Sequence, residues 1–260
     1  MSLLPLFLSC RAAVRAKTTA TTTRIERDPA RRTELEALAR WYLAMADEFL
    51  HPPRPAIIAI GGFSGSGKST LALGLAPSVG AVPGAIVLRS DEIRKQLCDV
   101  PALERLGPGG YADGVSRRVY QALIDRAAAI VGAGHSVIVD AVYARPNDRD
   151  AIGRAAADAS VPFAGLWLDA PEQTLVARVA ARHEDPSDAD ADVIRTQRSR
   201  EIGPITWRRF DASTSPERLL AVAETFVNSL PVTAANLSVG DPAGRGFAYD
   251  TCSGVPNEEN

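Results

Sequence analysis

Residues Gly62-Phe63-Ser64-Gly65-Ser66-Gly67-Lys68-Ser69-Thr70 follow directly on the apolar run Ala56–Ile60 and open a stretch of helical character. The nonapeptide fits G-x-x-x-x-G-K-[ST], the pattern of a backbone loop that holds phosphate between a strand and a helix. Its glycines let the chain curl so that successive N–H groups face an anion. The helix that starts there adds the positive end of its dipole. Lys68 brings a mobile charge to β- and γ-phosphates, and the Ser69 hydroxyl is a ligand for Mg²⁺. At this chain's own Gly, Lys and Ser/Thr frequencies, the bare pattern arises by chance with a probability on the order of a few in a thousand. A plain glycine turn would account for the glycines but not for Lys68. Gly62, Ser64, Gly65, Ser66, Gly67, Lys68, Ser69 and Thr70 are therefore the expected nucleotide contacts, with Ser69 on the metal.

Outward from this loop, short apolar runs alternate with helical stretches. Strands are expected at 56–60, 85–88, 136–139, 162–168 and 207–210. Helices are expected at 68–76, 91–97, 115–131, 146–159, 171–181, 190–200 and 216–230. Strands separated by helices imply βαβ units and a parallel sheet covered on both faces, an α/β fold. Before the first strand, Asp28-Pro29 reads as a helix start. Leu35, Leu38, Tyr42, Met45 and Phe49 then recur every three or four residues, a stripe that buries one helix face. His51-Pro52-Pro53-Arg54-Pro55 stops that helix. The resulting division is a helical extension over 1–54, an α/β domain over 55–230, and a tail over 231–260 whose Gly, Ser, Pro and Asn content predicts disorder.

The 260 residues carry a formal net charge of −2, which argues against a general polyanion binder. No apolar run approaches the roughly 20 residues that span a bilayer. Residues 3–8 are apolar, but Pro5 breaks the run and no positive charge precedes it, so a secretory signal is not expected. Cys10, Cys98 and Cys252 form no metal or disulfide pattern, which fits a reducing, cytoplasmic setting. Lysine occurs only at 17, 68 and 95, so the basic residues are nearly all arginine. A lysine is correspondingly informative here, and an arginine is not.

Beyond the carboxyl ends of the strands, where α/β sheets bind ligands, several side chains suit phosphoryl transfer. Asp91, in Leu88-Arg89-Ser90-Asp91-Glu92-Ile93-Arg94, falls beside the loop and can take the proton of an attacking hydroxyl. Ser90 can cap the helix there, leaving Asp91 free. Arg94, one turn on, can hold an acceptor. Asp140 ends Val137-Ile138-Val139 and can hold Mg²⁺ through water, orient the acceptor, or replace Asp91 as base. Tyr143, Arg145 and Asn147 extend that end into a polar cluster. Asp169 has a similar setting but reads as a helix cap. Arg178 and Arg182 share a helix face before the acidic stretch 183–190, which looks like a mobile lid whose arginines close on a triphosphate. The segment 211–217 is placed to meet the nucleotide base.

With these segments in view, residues 57–230 resemble the small P-loop kinases of the nucleoside monophosphate kinase superfamily. Within it, the resemblance is to the kinases related to gluconate kinase, polynucleotide 5′-kinases, chloramphenicol phosphotransferase and zeta-type toxins. It rests on Ile60–Thr70, Arg89–Arg94 and Val139–Tyr143. The resemblance implies a P-loop NTPase fold, α/β/α, with a five-stranded parallel sheet of order 2-3-1-4-5, Asp91 as base, and a lid carrying Arg178 and Arg182. The lid has no set of four cysteines, so no zinc-bearing lid is implied.

Residues 3–16 and the following helix resemble the end of an aminoglycoside phosphotransferase-like domain, such as precedes this type of kinase in bacterial two-domain proteins. That resemblance implies contact with such a domain and leaves the 35–49 stripe to pack on the kinase core or on a second copy. The expected activity is transfer of the γ-phosphoryl group of ATP, with Mg²⁺, to a hydroxyl of a small-molecule acceptor. Lys68, Asp91, Arg178 and Arg182 would be catalytic, and Arg94, Asp140 and Arg145 would hold the acceptor. Two alternatives stay open. One is a polynucleotide 5′-hydroxyl kinase, favoured by the Asp91–Arg94 pairing and opposed by the missing basic surface. The other is an ATP-bound regulatory module without catalysis. An AAA-type motor is not expected, since no arginine-finger pattern follows.

Overall fold

The computed structural model describes residues 3–102, 104–181, 187, 191–199 and 202–230. The chain divides into two compact units between His51 and Pro52.

The first unit is a helical hairpin. Helix α1 spans Leu4–Ile25 and α2 spans Pro29–Leu50. Pro5 sits in the first turn of α1, where a missing N–H costs nothing. The threonine-rich end of α1 stays helical with the Thr21, Thr22 and Thr23 hydroxyls donating to carbonyls four residues back. Asp28 caps α2 by accepting from the Ala30 N–H at 3.0 Å. The stripe on α2 meets α1: Met45 and Ala46 are buried against Ala12, with Trp41, Tyr42 and Phe49 beside them. The buried Ser9 hydroxyl donates to the Ala46 carbonyl at 2.7 Å. The packing surface for this stripe is thus within the same unit.

The second unit runs β1 (Ile57–Gly62), α3 (Lys68–Leu75), β2 (Ile86–Arg89), α4 (Ser90–Leu97), α5 (Asp113–Gly132), β3 (Val137–Asp140), α6 (Pro146–Asp158), β4 (Phe163–Asp169), α7 (Glu172–Ala180), α8 (Ala191–Ser199), β5 (Arg208–Asp211) and α9 (Pro216–Asn228). Its five strands form one sheet in the order β2-β3-β1-β4-β5, and every pairing is parallel. Successive strand residues point to opposite faces, and both faces are covered, so the central strands are apolar throughout. Ile57, Ala59, Val137, Val139 and Trp167 face Ile93 of α4, the α5 residues Val119, Leu123, Ala127 and Val131, and Ile152 of α6. Ile58, Ile60, Ile138, Leu166 and Leu168 face Leu71 and Leu75 of α3 and Leu219, Ala223 and Val227 of α9.

Trp207 explains a glycine inside β4. Its indole lies on Gly165 so closely that a Cβ there would come 2.3 Å from the ring. We expect Gly165→Ala to destabilise the domain by about 2–3 kcal/mol, since the indole is walled in and overpacking has no outlet. Thermal melting checks this, and an unchanged midpoint would mean that the ring can move.

Two expected caps do not form. The residue preceding α4 is Arg89, and no side chain caps that helix end, Ser90 included. Asp169 does not cap α7, whose leading residue is Pro171. It accepts instead from Trp167 Nε1 at 2.8 Å and from Arg209 at 2.7 Å, tying β4 to β5. Helix α5 ends at Gly132, with Gly134 in the left-handed region as expected of a helix stop. Arg182, most of the acidic stretch and the tail over 231–260 lie outside the described residues. Among the described residues no helix is long and apolar enough to cross a membrane.

Candidate active site

The phosphate loop lies between the end of β1 and the start of α3, at the carboxyl ends of the strands. Gly65 has φ +84, and a Cβ on it would lie 2.5 Å from the Leu175 carbonyl oxygen, so the loop closes against α7 only because this residue has no side chain. Lys68 reaches back over the loop, its Nζ 3.0 Å from the Phe63 carbonyl. Ser64 and Ser66 are buried in the loop.

Sheet register brings the next groups in. Ile60 of β1 is aligned with Asp140 of β3, and Asp140 with Arg89 of β2. The ends of β2 and β3 and the first turn of α3 thus deliver Arg89, Asp140 and Ser69 to one point. Ser69 Oγ donates to Asp140 Oδ2 at 2.5 Å. The Arg89 guanidinium donates to Ser69 Oγ at 3.2 Å and lies 3.7 Å from Asp140 Oδ2. Its other arm bonds Glu92 at 3.3 Å. Burial raises the Asp140 carboxyl above the ordinary range; the Lys68 charge and the Ser69 bond act against this, and the Asp91 charge adds to it. Asp91 therefore shares the field of this cleft.

Ser69 and Asp140 present two converging oxygen ligands, the hard donors that Mg²⁺ takes. Among the described residues no group of three or more His, Cys, Asp and Glu gathers to hold a metal. A Mg²⁺ on these two oxygens would complete its shell with phosphate and water, as this ion does at phosphate sites.

The acceptor side is less open than the sequence suggests. Arg94 is buried, donates to the Gly110 carbonyl at 2.8 Å and to Ser116 Oγ at 3.2 Å, and stacks 4.9 Å from the Tyr111 ring centre. It holds the 107–111 segment onto α4 and α5. Arg145 forms an ion pair with Asp113 at the start of α5. Tyr143 is buried under Tyr120, whose hydroxyl accepts from the Tyr143 N–H at 2.9 Å. Arg178 donates to the Ala212 carbonyl at 2.8 Å, fixing the segment after β5.

Three residues emerge only in three dimensions. Arg89 lies in a quoted motif, but arginine abundance hid it. Arg149 is buried, donates to the carbonyls of Tyr143, Ala144, Ile202 and Pro204, and so joins the turn after β3 to the segment before β5. Gln197 of α8 bonds Ser64 of the loop twice, 133 positions away.

A parallel five-stranded sheet of this order, a phosphate loop after β1, and Ser69 bonded to Asp140 on the adjacent strand define a P-loop nucleotide-binding fold. Residues 57–201, more than half of the chain, match the AAA domain family, and the chain belongs to that family. Among curated proteins it is 31% identical over 227 residues to Uncharacterized protein Rv2004c of Mycobacterium tuberculosis (strain ATCC 25618 / H37Rv). The match covers 85% of this chain and 44% of that protein. The same figures hold for Uncharacterized protein Mb2027c of Mycobacterium bovis. The chain spans less than half the length of these relatives. Among solved structures, a sugar kinase from Janibacter sp. HTCC2649 has a TM-score of 0.49 at 21% identity, covering 68% of this chain and 95% of that one. A gluconokinase from Sinorhizobium meliloti 1021 has 0.48 at 20%, covering 67% and 92%. The Mycobacterium tuberculosis APS kinase CysC in complex with AMPPNP and APS has 0.47 at 23%, covering 67% and 98%.

Proposed function

We propose that this protein is an ATP-dependent kinase that moves the γ-phosphoryl group to a hydroxyl of a small molecule. The observation that carries this reading is the bond of Ser69, at the end of the phosphate loop, to Asp140 at the end of β3, a carboxyl on which the Lys68 and Asp91 charges act. Family membership supports nucleotide binding without choosing between transfer and motor chemistry.

In this reading the loop amides and Lys68 hold the phosphates, and Ser69 and Asp140 hold Mg²⁺. When bound there, Mg²⁺ would supply positive charge to the phosphate oxygens. Asp91, at the start of α4, takes the proton of the acceptor hydroxyl as its oxygen forms the new bond to phosphorus. The bond from that phosphorus to the bridging oxygen breaks, and ADP leaves with that oxygen. Asp140 is occupied by Ser69 and Arg89, so its carboxylate is spent on the metal side of the cleft. That leaves Asp91 as the base. Arg94 and Arg145 shape the acceptor pocket, chiefly through the segment Gly107–Gly114 that they restrain. Arg178 positions the segment after β5, which we assign to the nucleotide base.

The test is ADP release from Mg·ATP across sugars, sugar acids, aminoglycosides, chloramphenicol, nucleosides and 5′-hydroxyl oligonucleotides. A rise dependent on one small-molecule class is the expected result and names the acceptor. A rise with oligonucleotides that collapses with added salt would point to a polynucleotide kinase. Tight ATP binding with no rise across the panel would turn the reading toward a regulatory module.

A further inference from the structure

Gln197 reaches from α8 to the phosphate loop and makes two bonds to one residue. Its Oε1 accepts from the Ser64 N–H at 3.0 Å, and its Nε2 donates to the Ser64 hydroxyl oxygen at 3.0 Å. The backbone N–H can only donate, so it fixes which end of the carboxamide faces it. The amide NH₂ must then face the hydroxyl, and the hydroxyl oxygen must accept. A serine hydroxyl has one proton to give. With its oxygen already accepting, that proton remains for a further acceptor.

The residue type matters. A carboxylate could accept from the N–H but would also claim the hydroxyl proton, and it would put a negative charge beside the phosphates. An ammonium could not accept from the N–H at all. Only a side chain with a donor and an acceptor side by side satisfies the Ser64 N–H and leaves its hydroxyl a donor. Ser64 is 6% exposed, so its orientation is not set by solvent.

The surroundings make the contact a fixed one. Ile194, one turn earlier on α8, is fully buried. Arg198, the next residue, lies 5.8 Å from the Phe63 ring centre and 3.4 Å from a Glu172 carboxylate oxygen on α7. Helix α7 in turn seats its Leu175 carbonyl against Gly65. Two helices far along the chain thus grip three consecutive loop residues, Phe63, Ser64 and Gly65.

We propose that Gln197 is a positioning residue for the triphosphate: it holds Ser64 so that the hydroxyl donates to a phosphate oxygen, adding a side-chain donor to the backbone donors of the loop. This rests on the reading of the loop as a nucleotide site and not on the identity of the acceptor. Ser64 is the group that touches the phosphate, and Gln197 acts through it.

The test uses the full chain and four variants: Ser64→Ala, Gln197→Met, Gln197→Glu, and Ser64→Ala combined with Gln197→Met. Mg·ATP affinity is measured by calorimetry, with thermal melting of the nucleotide-free protein alongside. Gln197→Met keeps length and apolar packing while removing both bonds. Ser64→Ala and Gln197→Met should each weaken Mg·ATP binding about tenfold, the size expected for a hydrogen bond to a charged group. The double variant should be no weaker than Gln197→Met alone, because both changes remove the same donor. Gln197→Glu should melt like the parent yet bind still less tightly. Unchanged affinity in Ser64→Ala would overturn the proposal. So would a Gln197→Met protein that melts lower but binds ATP as the parent does, since Gln197 would then only dock α8. If the parent binds Mg·ATP but phosphorylates no acceptor, the kinase reading fails while the affinities still decide the role of Gln197.

Discussion

Lys68→Met should abolish phosphoryl transfer, with a fall of about a thousandfold or more in turnover and a weaker affinity for ATP. Methionine matches the lysine stem in length and apolar character, so the side chain loses its charge and little else. The fold should be indifferent, because the bond that Lys68 Nζ makes to the Phe63 carbonyl is a short-range contact within the loop. The charge, by contrast, is irreplaceable. It faces Asp140 across the cleft and lowers that carboxyl against the effect of burial. Removing it therefore does double harm. The γ-phosphate would lose its cation, and Asp140 would be more readily protonated where the proposed metal site needs its charge. Steady-state ADP release and calorimetric ATP binding read the two effects separately. Full turnover in Lys68→Met would end the assignment of this cleft as the site of chemistry.

Asp91→Asn is the second large effect, and it separates two carboxylates that sequence alone leaves interchangeable. As general base, Asp91 should be worth about a hundredfold to ten-thousandfold in turnover. Asparagine keeps the shape of the helix start, and α4 has no side-chain cap to lose. ATP affinity should therefore be preserved while transfer fails. Asp140→Asn should behave differently. It leaves the Ser69 hydroxyl an amide oxygen to donate to but removes the carboxylate charge, and should raise the Mg²⁺ concentration needed for half-maximal binding of ATP. Turnover in Asp91→Asn close to that of the parent, with Asp140→Asn inactive at saturating Mg²⁺, would transfer the role of base to Asp140.

Sequence carried the phosphate loop because its chemistry is local. Glycines, a lysine and a hydroxyl residue within nine positions suffice to build it, and strand and helix on either side confirm the context. The strand ends were legible for a similar reason: apolar runs that end in an acid mark where a parallel sheet stops and its ligand face begins. The order of the sheet came from resemblance rather than from pattern, since short apolar strands carry no mark of which neighbour they pair with. Arg89 escaped notice because its meaning lies in register: only the pairing of β2 with β3 puts it opposite Asp140. Gln197 had no signal at all. Its partner is 133 positions away, and the helix that carries it reads as an ordinary polar surface. Asp169 was misjudged as a cap because Asp-Ala-Pro-Glu is a common helix opening, whereas its partners, Trp167 and Arg209, lie on two neighbouring strands.

The outer strand β5 bears on how copies of this protein meet one another. Strand β5 stands at one end of the sheet, only four residues long, and leads with Arg208 and Arg209. A row of unpaired backbone groups is a template on which another chain can add a strand. Here that template is short, and any second copy arriving in register would bring its own guanidinium groups against these two. Arg209 is anchored by Asp169, so it cannot simply swing aside. Shortness and charge thus make this edge a poor place for a second copy to add a strand.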